Sequence, residues 1–561
     1  MLIYTDSRAS ASTIQDRDPG YRPSYLIYAD TQRTADEAKK LVEDLGLPAH
    51  LQDYKTQVFV YGPANGNAYE PAADYAAFRN FLRAHRSSNL KIIAVGAGAT
   101  FVNNVIARHA YAVAGILTYG GTGQGTSTMP VPTYVHNADV AVGRIYLDGN
   151  GATSKTETDA ATIYANPGGY KELQRVVVSK LGDDKENLAQ AFQNAWKTVF
   201  SKNFRYYMSE VESYAAGFDP TEHAEPWEIE PYVMYDELNM SYVAIVEELP
   251  GLTLPPPGAG RGAGAAPGAP AGAAAAPAAA PAPATAAATP PTTPLSLRYE
   301  YVPKAALTAP RQSVPLVVML HGNMNDPRTQ GESSGWPFVA AKNNIILLSV
   351  EWQGRTAQGT AYSAIGEKGT MMLIDKTLAK YPQIDPGRVY FTGLSAGAAN
   401  SMTYGLNNIS RIAAIAPASA PFGSTVDIAK VKGDGNYLPM FFIAGTHDMY
   451  KPLPVATSGR SLYDAIKGFA LLNDITVPAA PDLNVNEIFG LKLDNQAWTA
   501  FAFSRAMVGT LSNKQGVMIK LVGLDPYGHW NYTPAATEMW NFMSRYRRDP
   551  ATGKLQILPG R

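Results

Sequence analysis

The chain has 561 residues, 46% hydrophobic and 17% charged, with 47 basic against 48 acidic side chains. That length exceeds one compact core, since roughly 100–200 residues make a domain, and it implies at least two. The charge balance gives no electrostatic footprint for nucleic acid. The absence of cysteine removes disulfides, thiolate nucleophiles and cysteine-bound metals together. The first residues lack an apolar stretch behind a basic one, and no apolar run approaches the roughly 18 residues that a membrane span needs.

The chain opens with alternating strand and helix signals: "SYLIYAD" strand, "TADEAKKLVEDLG" helix, "TQVFVYG" strand, "ADYAAFRNFLRAH" helix, "KIIAVGAGAT" strand and turn. Tyr75, Phe78, Phe81 and Leu82 fall at helical spacing on one face. Such βαβ order predicts a largely parallel sheet covered by helices. The glycines of "VGAGAT" do not complete a dinucleotide-binding loop, because Phe101 stands where the third glycine belongs and no acid follows before Asp139. His136 with Asp139, and His447 with Asp448, each lack a third ligand at metal spacing, so no metal and no cofactor is expected.

Residues 255–294 are almost wholly Pro, Ala, Gly and Thr, with Arg261 the sole charge, a composition that cannot bury enough apolar surface to offset ordering entropy. Strand-like "MSYVAIVEEL" precedes this tract and "LSLRYEYVP" follows it. The tract is therefore either a linker or, on the favoured reading, an insertion in a hairpin. The expected division is residues 1–225 and 226–561.

The second half repeats the order: "VPLVVMLHG" strand, "GWPFVAAKN" helix, "NIILLSVEW" strand, "TMMLIDKTLAKY" helix, "RVYFTG" strand. Met371, Ile374, Leu378 and Tyr381 mark the expected buried stripe of its second helix. The halves also share short matches, "NAW" at 194–196 with "QAW" at 496–498 and "GFDPTEH" with "GLDPYGH". Asp139 to His223 is 84 positions and Asp448 to His529 is 81. Internal duplication is the expectation.

Gly393-Leu394-Ser395-Ala396-Gly397 fits G-x-S-x-G, whose small residues allow a strained strand-to-helix turn that lifts the serine out of the sheet. A serine hydroxyl needs a base to take its proton and an acid to orient that base. His529, in the loop "DPYGHWNY" after the apolar strand "GVMIKLVGL", is the candidate base. Asp448, after "LPMFFIAGTH", is the candidate acid, preferred over Asp525, which lies four residues from the histidine. The backbone N–H groups of Asn323, after His321-Gly322, and of Ala396 are candidate oxyanion donors. Trp352 and Trp530 are candidate substrate-binding aromatics. Aligned on its strand, the first half places Gly98 where Ser395 stands and Asp30 in the His-Gly turn, while Asp139 and His223 keep the acid and base positions. It reads as a copy without a nucleophile.

The segments "VVMLHGN", "IDPGRVYFTGLSAGAAN", "FFIAGTHDMYKP" and "GHW" resemble the α/β-hydrolase superfamily, and within it the polyhydroxybutyrate depolymerase and feruloyl esterase group, over roughly residues 296–545. The resemblance implies two α/β-hydrolase-like domains, the first degenerate, and a secreted or periplasmic serine esterase. Its substrates would be hydroxyalkanoate, hydroxycinnamate or polyester-type esters, possibly polymeric, with Ser395, Asp448 and His529 as the triad. Depolymerases of that group commonly carry cysteine where this chain has Asn323, a change that keeps the backbone donor. The alternative is a polymer-binding or scaffolding protein whose first half recognises substrate or partner. Oligomeric state is not written in the sequence.

Overall fold

The computed structural model describes residues 2–5, 22–50, 57–63, 66, 68–85, 87–127, 129–136, 138–167, 174–204, 230–231, 238–254, 293–323, 325–357, 360–420, 426–433, 435–448, 450–455, 462–501, 504–525 and 527–559. The chain divides into two compact units, chiefly residues 20–210 and 235–561. Among the described residues, no helix is long and apolar enough to cross a membrane.

Unit 1 is built on β1 (Leu2–Thr5), β2 (Arg22–Tyr28), β3 (Gln57–Tyr61), β4 (Ser87–Val95), β5 (Val113–Tyr119), β6 (Thr133–His136), β7 (Ser154–Glu157), β8 (Ala161–Ala165) and β9 (Arg175–Ser179). They form one sheet in the order β1-β3-β2-β4-β5-β6-β9-β8-β7. The central strands are buried on both faces, so they read as continuous apolar runs rather than alternating ones. Helix Ala35–Asp44 starts where its sequence says, with Thr34 and Glu37 forming a capping box. Phe78 and Phe81 of the expected stripe are buried in one core and Tyr75 packs against it. A short ribbon, β10 (Asn203–Phe204) with β11 (Glu230–Pro231), follows.

Unit 2 contains β12 (Met240–Glu248), β13 (Leu295–Pro303), β14 (Val314–Leu320), β15 (Ile346–Val350), the small pair β16 (Arg355–Ala357) and β17 (Thr360–Tyr362), then β18 (Ile384–Leu394), β19 (Ile412–Ala418), β20 (Met440–Gly445), β21 (Asp494–Phe501), β22 (Ser504–Asn513) and β23 (Gly516–Asp525). Its main sheet runs β12-β13-β15-β14-β18-β19-β20-β23-β22-β21. β12 and β13 pair antiparallel from Met240↔Pro303 to Glu248↔Leu295, so the Pro/Ala-rich tract falls between two strands of one hairpin. Residues 255–292 themselves lie outside the described residues.

With β12 set aside, the two sheets correspond strand for strand. In unit 1, β1 is antiparallel to β3, β2 to β6 with β9 form the parallel centre, and β8 and β7 return antiparallel. In unit 2, β13, β15, β14, β18, β19, β20, β23, β22 and β21 repeat that order and those directions. The short matches are not what carries this likeness. "NAW" closes a helix, Leu188–Ala195, whereas "QAW" lies in β21, and "GFDPTEH" with His223 lies outside the described residues.

One expected stripe is rotated. Helix Gly366–Lys380 buries Met371 and Ile374 but completes its inner face with Leu373 and Thr377, leaving Leu378 and Tyr381 half-buried. The helix presents a broad face of two adjacent rows to the sheet, and a one-row count misses the second.

Candidate active site

The parallel strands of unit 2 end at one sheet edge, and the candidate groups sit on the turns leaving it. β18 ends at Leu394, and Ser395 follows with φ 56° and ψ −116° before helix Ala396–Asn407 begins. A serine in this left-handed region is strained by roughly 1–3 kcal/mol and persists only where its surroundings enforce it. Here the Ser395 N–H donates to the Ala418 carbonyl at 3.0 Å, and the Ser395 carbonyl accepts from the Ala399 N–H at 3.0 Å. The glycines of the motif make room. A Cβ on Gly397 would lie 2.0 Å from the Leu320 carbonyl oxygen, and one on Gly393 2.7 Å from that same oxygen. Only glycine lets the helix start this close to β14.

Asp448 follows β20 after Thr446 and His447 and is fully buried, while His529 lies in the loop after β23 and is 4% exposed. The His529 Nδ1 donates to Asp448 Oδ2 at 2.7 Å, which leaves Nε2 as the proton-accepting nitrogen. The second carboxylate oxygen, Oδ1, accepts the Tyr450 N–H at 2.9 Å. Asp525 is engaged elsewhere, accepting from Thr446 Oγ1 at 2.7 Å and from Arg505 at 3.0 Å. The loop bearing His529 is held on several sides. Ser419 donates to the Trp530 carbonyl at 3.1 Å, Tyr527 to the Asn531 carbonyl at 2.6 Å, and Asn531 to Ser333 at 2.9 Å. Gly445 allows the loop to approach, because a Cβ there would lie 1.9 Å from the Tyr527 carbonyl oxygen. Tyr450 sets its ring edge-on to the His529 ring at 4.8 Å.

Asn323 is exposed and follows Gly322, whose added Cβ would sit 3.5 Å from the Ser395 Cβ, so this turn borders the nucleophile. Ala396 starts the helix directly behind the serine. Trp352 and Trp530 are 7% and 5% exposed. The Trp352 indole N–H donates to the His321 carbonyl at 2.9 Å, and its ring stacks on the His321 ring at 5.5 Å. His321 is buried against Glu351, with Nε2 3.2 Å from Oε1. Sequence reasoning missed Glu351, Ser419 and Asn531. For Glu351 and Ser419 the available signal was a charged or polar residue directly after a buried strand, the place where such a residue must be paired or be part of a site; Asn531, in the loop beyond β23, carried no such signal.

Unit 1 has the same elbow without the hydroxyl, two residues before the position the alignment gave. Gly96, not Gly98, adopts φ 53° and ψ −115° and starts helix Ala97–Asn104. Gly98 instead matches Gly397, since a Cβ on it would lie 2.3 Å from the Tyr28 carbonyl oxygen. The side chains at the elbow and the preceding turn are exchanged between units: Ser395 faces Gly322, whereas a Cβ on Gly96 would lie 3.2 Å from the Asp30 Cβ. Asp30 accepts from Arg33 at 2.7 Å. Asp139 is an exposed helix cap whose Oδ1 accepts the Ala141 N–H at 3.0 Å, and its expected base partner, His223, lies outside the described residues.

The strand order, the strained serine at the strand-to-helix turn and the carboxylate–imidazole pair define unit 2 as a unit of the α/β-hydrolase type, and unit 1 as a second α/β unit of the same topology. No family model matches the chain. Among curated proteins, it is similar to the bifunctional acetylxylan esterase/xylanase XynS20E of Neocallimastix patriciarum, 26% identical over 244 residues, 42% of this chain. The chain spans about 31% of that relative's length. Structural neighbours include esterases and an S-formylglutathione hydrolase. An acetyl xylan esterase from Aspergillus awamori is 14% identical, covering 44% of this chain and 94% of its own, with a TM-score of 0.32. A ferulic acid esterase is 11% identical, covering 55% and 98%, with a TM-score of 0.31. An S-formylglutathione hydrolase from Agrobacterium tumefaciens is 12% identical, covering 45% and 90%, with a TM-score of 0.30.

Proposed function

We propose that the chain is a serine carboxylic-ester hydrolase working through an acyl-enzyme, with residues 226–561 catalytic and residues 1–225 a non-catalytic copy. The observation that carries this reading is the strained Ser395 elbow on the sheet edge that also bears the buried Asp448–His529 pair. Ser395 Oγ attacks the ester carbonyl while His529 Nε2 takes its proton; Asp448 holds the ring in the tautomer that leaves Nε2 free to accept and stabilises the imidazolium. The oxyanion is held by the N–H groups of Asn323 and Ala396, the latter at a helix N-terminus whose dipole favours negative charge. His529 then protonates the leaving alcohol, and water, deprotonated by the same nitrogen, releases the acid.

Trp352 and Trp530 are assigned as walls of the substrate cleft, backing its two loops. The substrate class is an ester of a hydroxyalkanoic, hydroxycinnamic or simple acyl group, on a small or polymeric alcohol. Unit 1 is read as inactive because Gly96 offers no nucleophile and Asp30 crowds the elbow. The test is Ser395→Ala in the purified chain. Turnover of p-nitrophenyl acetate is expected to fall by at least about 10³-fold with the unfolding temperature unchanged, and a variant that still turns over at the wild-type rate ends the serine mechanism.

A further inference from the structure

Two turns meet beside Ser395. One leaves β14 as His321-Gly322-Asn323, and the other leaves β15 as Glu351-Trp352-Gln353-Gly354. They are joined three times: His321 Nε2 to Glu351 Oε1 at 3.2 Å, Trp352 Nε1 to the His321 carbonyl at 2.9 Å, and the Gln353 amide to Asn323 Oδ1.

The hydrogen atoms on His321 follow from its partners. Nδ1 lies 2.8 Å from the Gly322 carbonyl oxygen, which can only accept, so Nδ1 carries a proton. Nε2 faces Glu351 Oε1, which already accepts the backbone N–H groups of Gln353 at 3.2 Å and Gly354 at 3.0 Å. An oxygen surrounded by donors is the unprotonated one, so Nε2 donates as well. His321 is then an imidazolium paired with a carboxylate, both almost fully buried, and in that setting removing the carboxylate is costly to the buried imidazolium.

The Gly322 carbonyl bound by Nδ1 belongs to the peptide whose N–H is that of Asn323. In a planar trans peptide these two groups point in opposite directions, so fixing the carbonyl aims the N–H. The Asn325 N–H binds the same carbonyl at 3.0 Å and completes the turn. A charged donor on the carbonyl also polarises the peptide and strengthens its N–H as a donor.

Unit 1 supplies the comparison within the same chain. β2 pairs Tyr28 with Tyr61 as β14 pairs Leu320 with Val350, so Ala29 stands where His321 does and Gly62 where Glu351 does. The copy without the serine lacks both members of the pair.

We propose that Glu351 is a positioning residue for hydrolysis: through the His321 imidazolium it orients and strengthens the Asn323 N–H that receives the oxyanion. This rests on the serine-esterase reading above. The test is Glu351→Gln in the full chain, run beside Ser395→Ala, with p-nitrophenyl acetate. The amide keeps the size but cannot hold the imidazolium. kcat is expected to fall about 10- to 100-fold, less than the full loss of an oxyanion donor, with KM within about twofold. In wild-type protein labelled with ¹⁵N-histidine, the eight histidines are few enough to identify His321 by its disappearance in His321→Asn. Both of its ring nitrogens are expected to carry protons in the wild type, and one only in Glu351→Gln. Wild-type kcat in a folded Glu351→Gln beside an inactive Ser395→Ala overturns the role of Glu351 alone. So does a wild-type His321 with a bare ring nitrogen, a result that needs no variant of Glu351 to fold. An active Ser395→Ala removes the esterase reading itself.

Discussion

Gly397→Ala adds one methyl group in the second residue after the nucleophile. The Cβ would stand 2.0 Å from the Leu320 carbonyl oxygen and 2.5 Å from that of His321, where ordinary contact begins at 3.4 Å. The deficit is 3.4 − 2.0 = 1.4 Å. Both obstructing atoms are backbone at the end of β14, so neither can rotate away. The start of helix Ala396–Asn407 must therefore withdraw by roughly 1 Å, opening the gap between the serine and the Gly322–Asn323 peptide. A misplacement of that size costs on the order of 10²-fold in rate, and the overpacking costs about 1–3 kcal/mol of stability. The assay is kcat/KM on p-nitrophenyl acetate at a temperature well below unfolding, with thermal unfolding measured in parallel. Gly98→Ala is the internal control. Its Cβ meets the Tyr28 carbonyl oxygen at 2.3 Å and that of Ala29 at 2.9 Å, so it disturbs the same joint in unit 1. Gly98→Ala is expected to lower stability and leave kcat/KM within about twofold. Activity of Gly397→Ala within about threefold of wild type, or equal catalytic damage from both substitutions, would refute the reasoning.

Asp448→Asn leaves the shape of the pair and removes its charge. The amide can then hold His529 in the wrong tautomer, so kcat is expected to fall roughly 10³- to 10⁴-fold with the melting temperature nearly unchanged, and a fall below tenfold contradicts the assignment of Asp448. Lys91, 2% exposed, has its ammonium over the rings of Tyr25 and Trp196 at 5.7 and 5.5 Å. Burial pulls its pKa from 10.5 down to about 7. The unfolded chain therefore binds the extra proton between those values, which destabilises unit 1 fully below about pH 7 and progressively less as pH rises toward 10.5. The separation between those two values corresponds to on the order of 5 kcal/mol. Lys91→Met should raise the unfolding midpoint at pH 6.5 far more than at pH 9, as scanned by calorimetry, and an equal gain at both values excludes burial of the charge as the cause.

Much of the fold was legible because it is carried by local pattern. Apolar runs buried on both faces stand out against amphipathic helices, and the alternation fixes a parallel sheet before any contact is known. The G-x-S-x-G segment was legible for a similar reason: its glycines are required by close backbone approach, which the sequence records as residue type. The elbow of unit 1 was misplaced by two positions because "VGAGAT" has glycine at both 96 and 98, and only backbone geometry separates the one with positive φ from the one packed on β2. Asp139 stands after β6 as spacing placed it, and the chain there turns directly into a helix that uses it as a cap.

What the sequence determined by itself is therefore the inventory: two α/β units, one with a serine between glycines and one without, and an acid and a histidine following in order. The tertiary structure decided the pairings. It set His529 on Asp448, the acid already preferred over Asp525 on loop geometry, by bringing strand ends together across β20 and β23, and it set Glu351 against His321 through the adjacency of β15 and β14. Those choices depend on strands distant in sequence becoming neighbours, and residue type carries no record of which partner the sheet will place alongside.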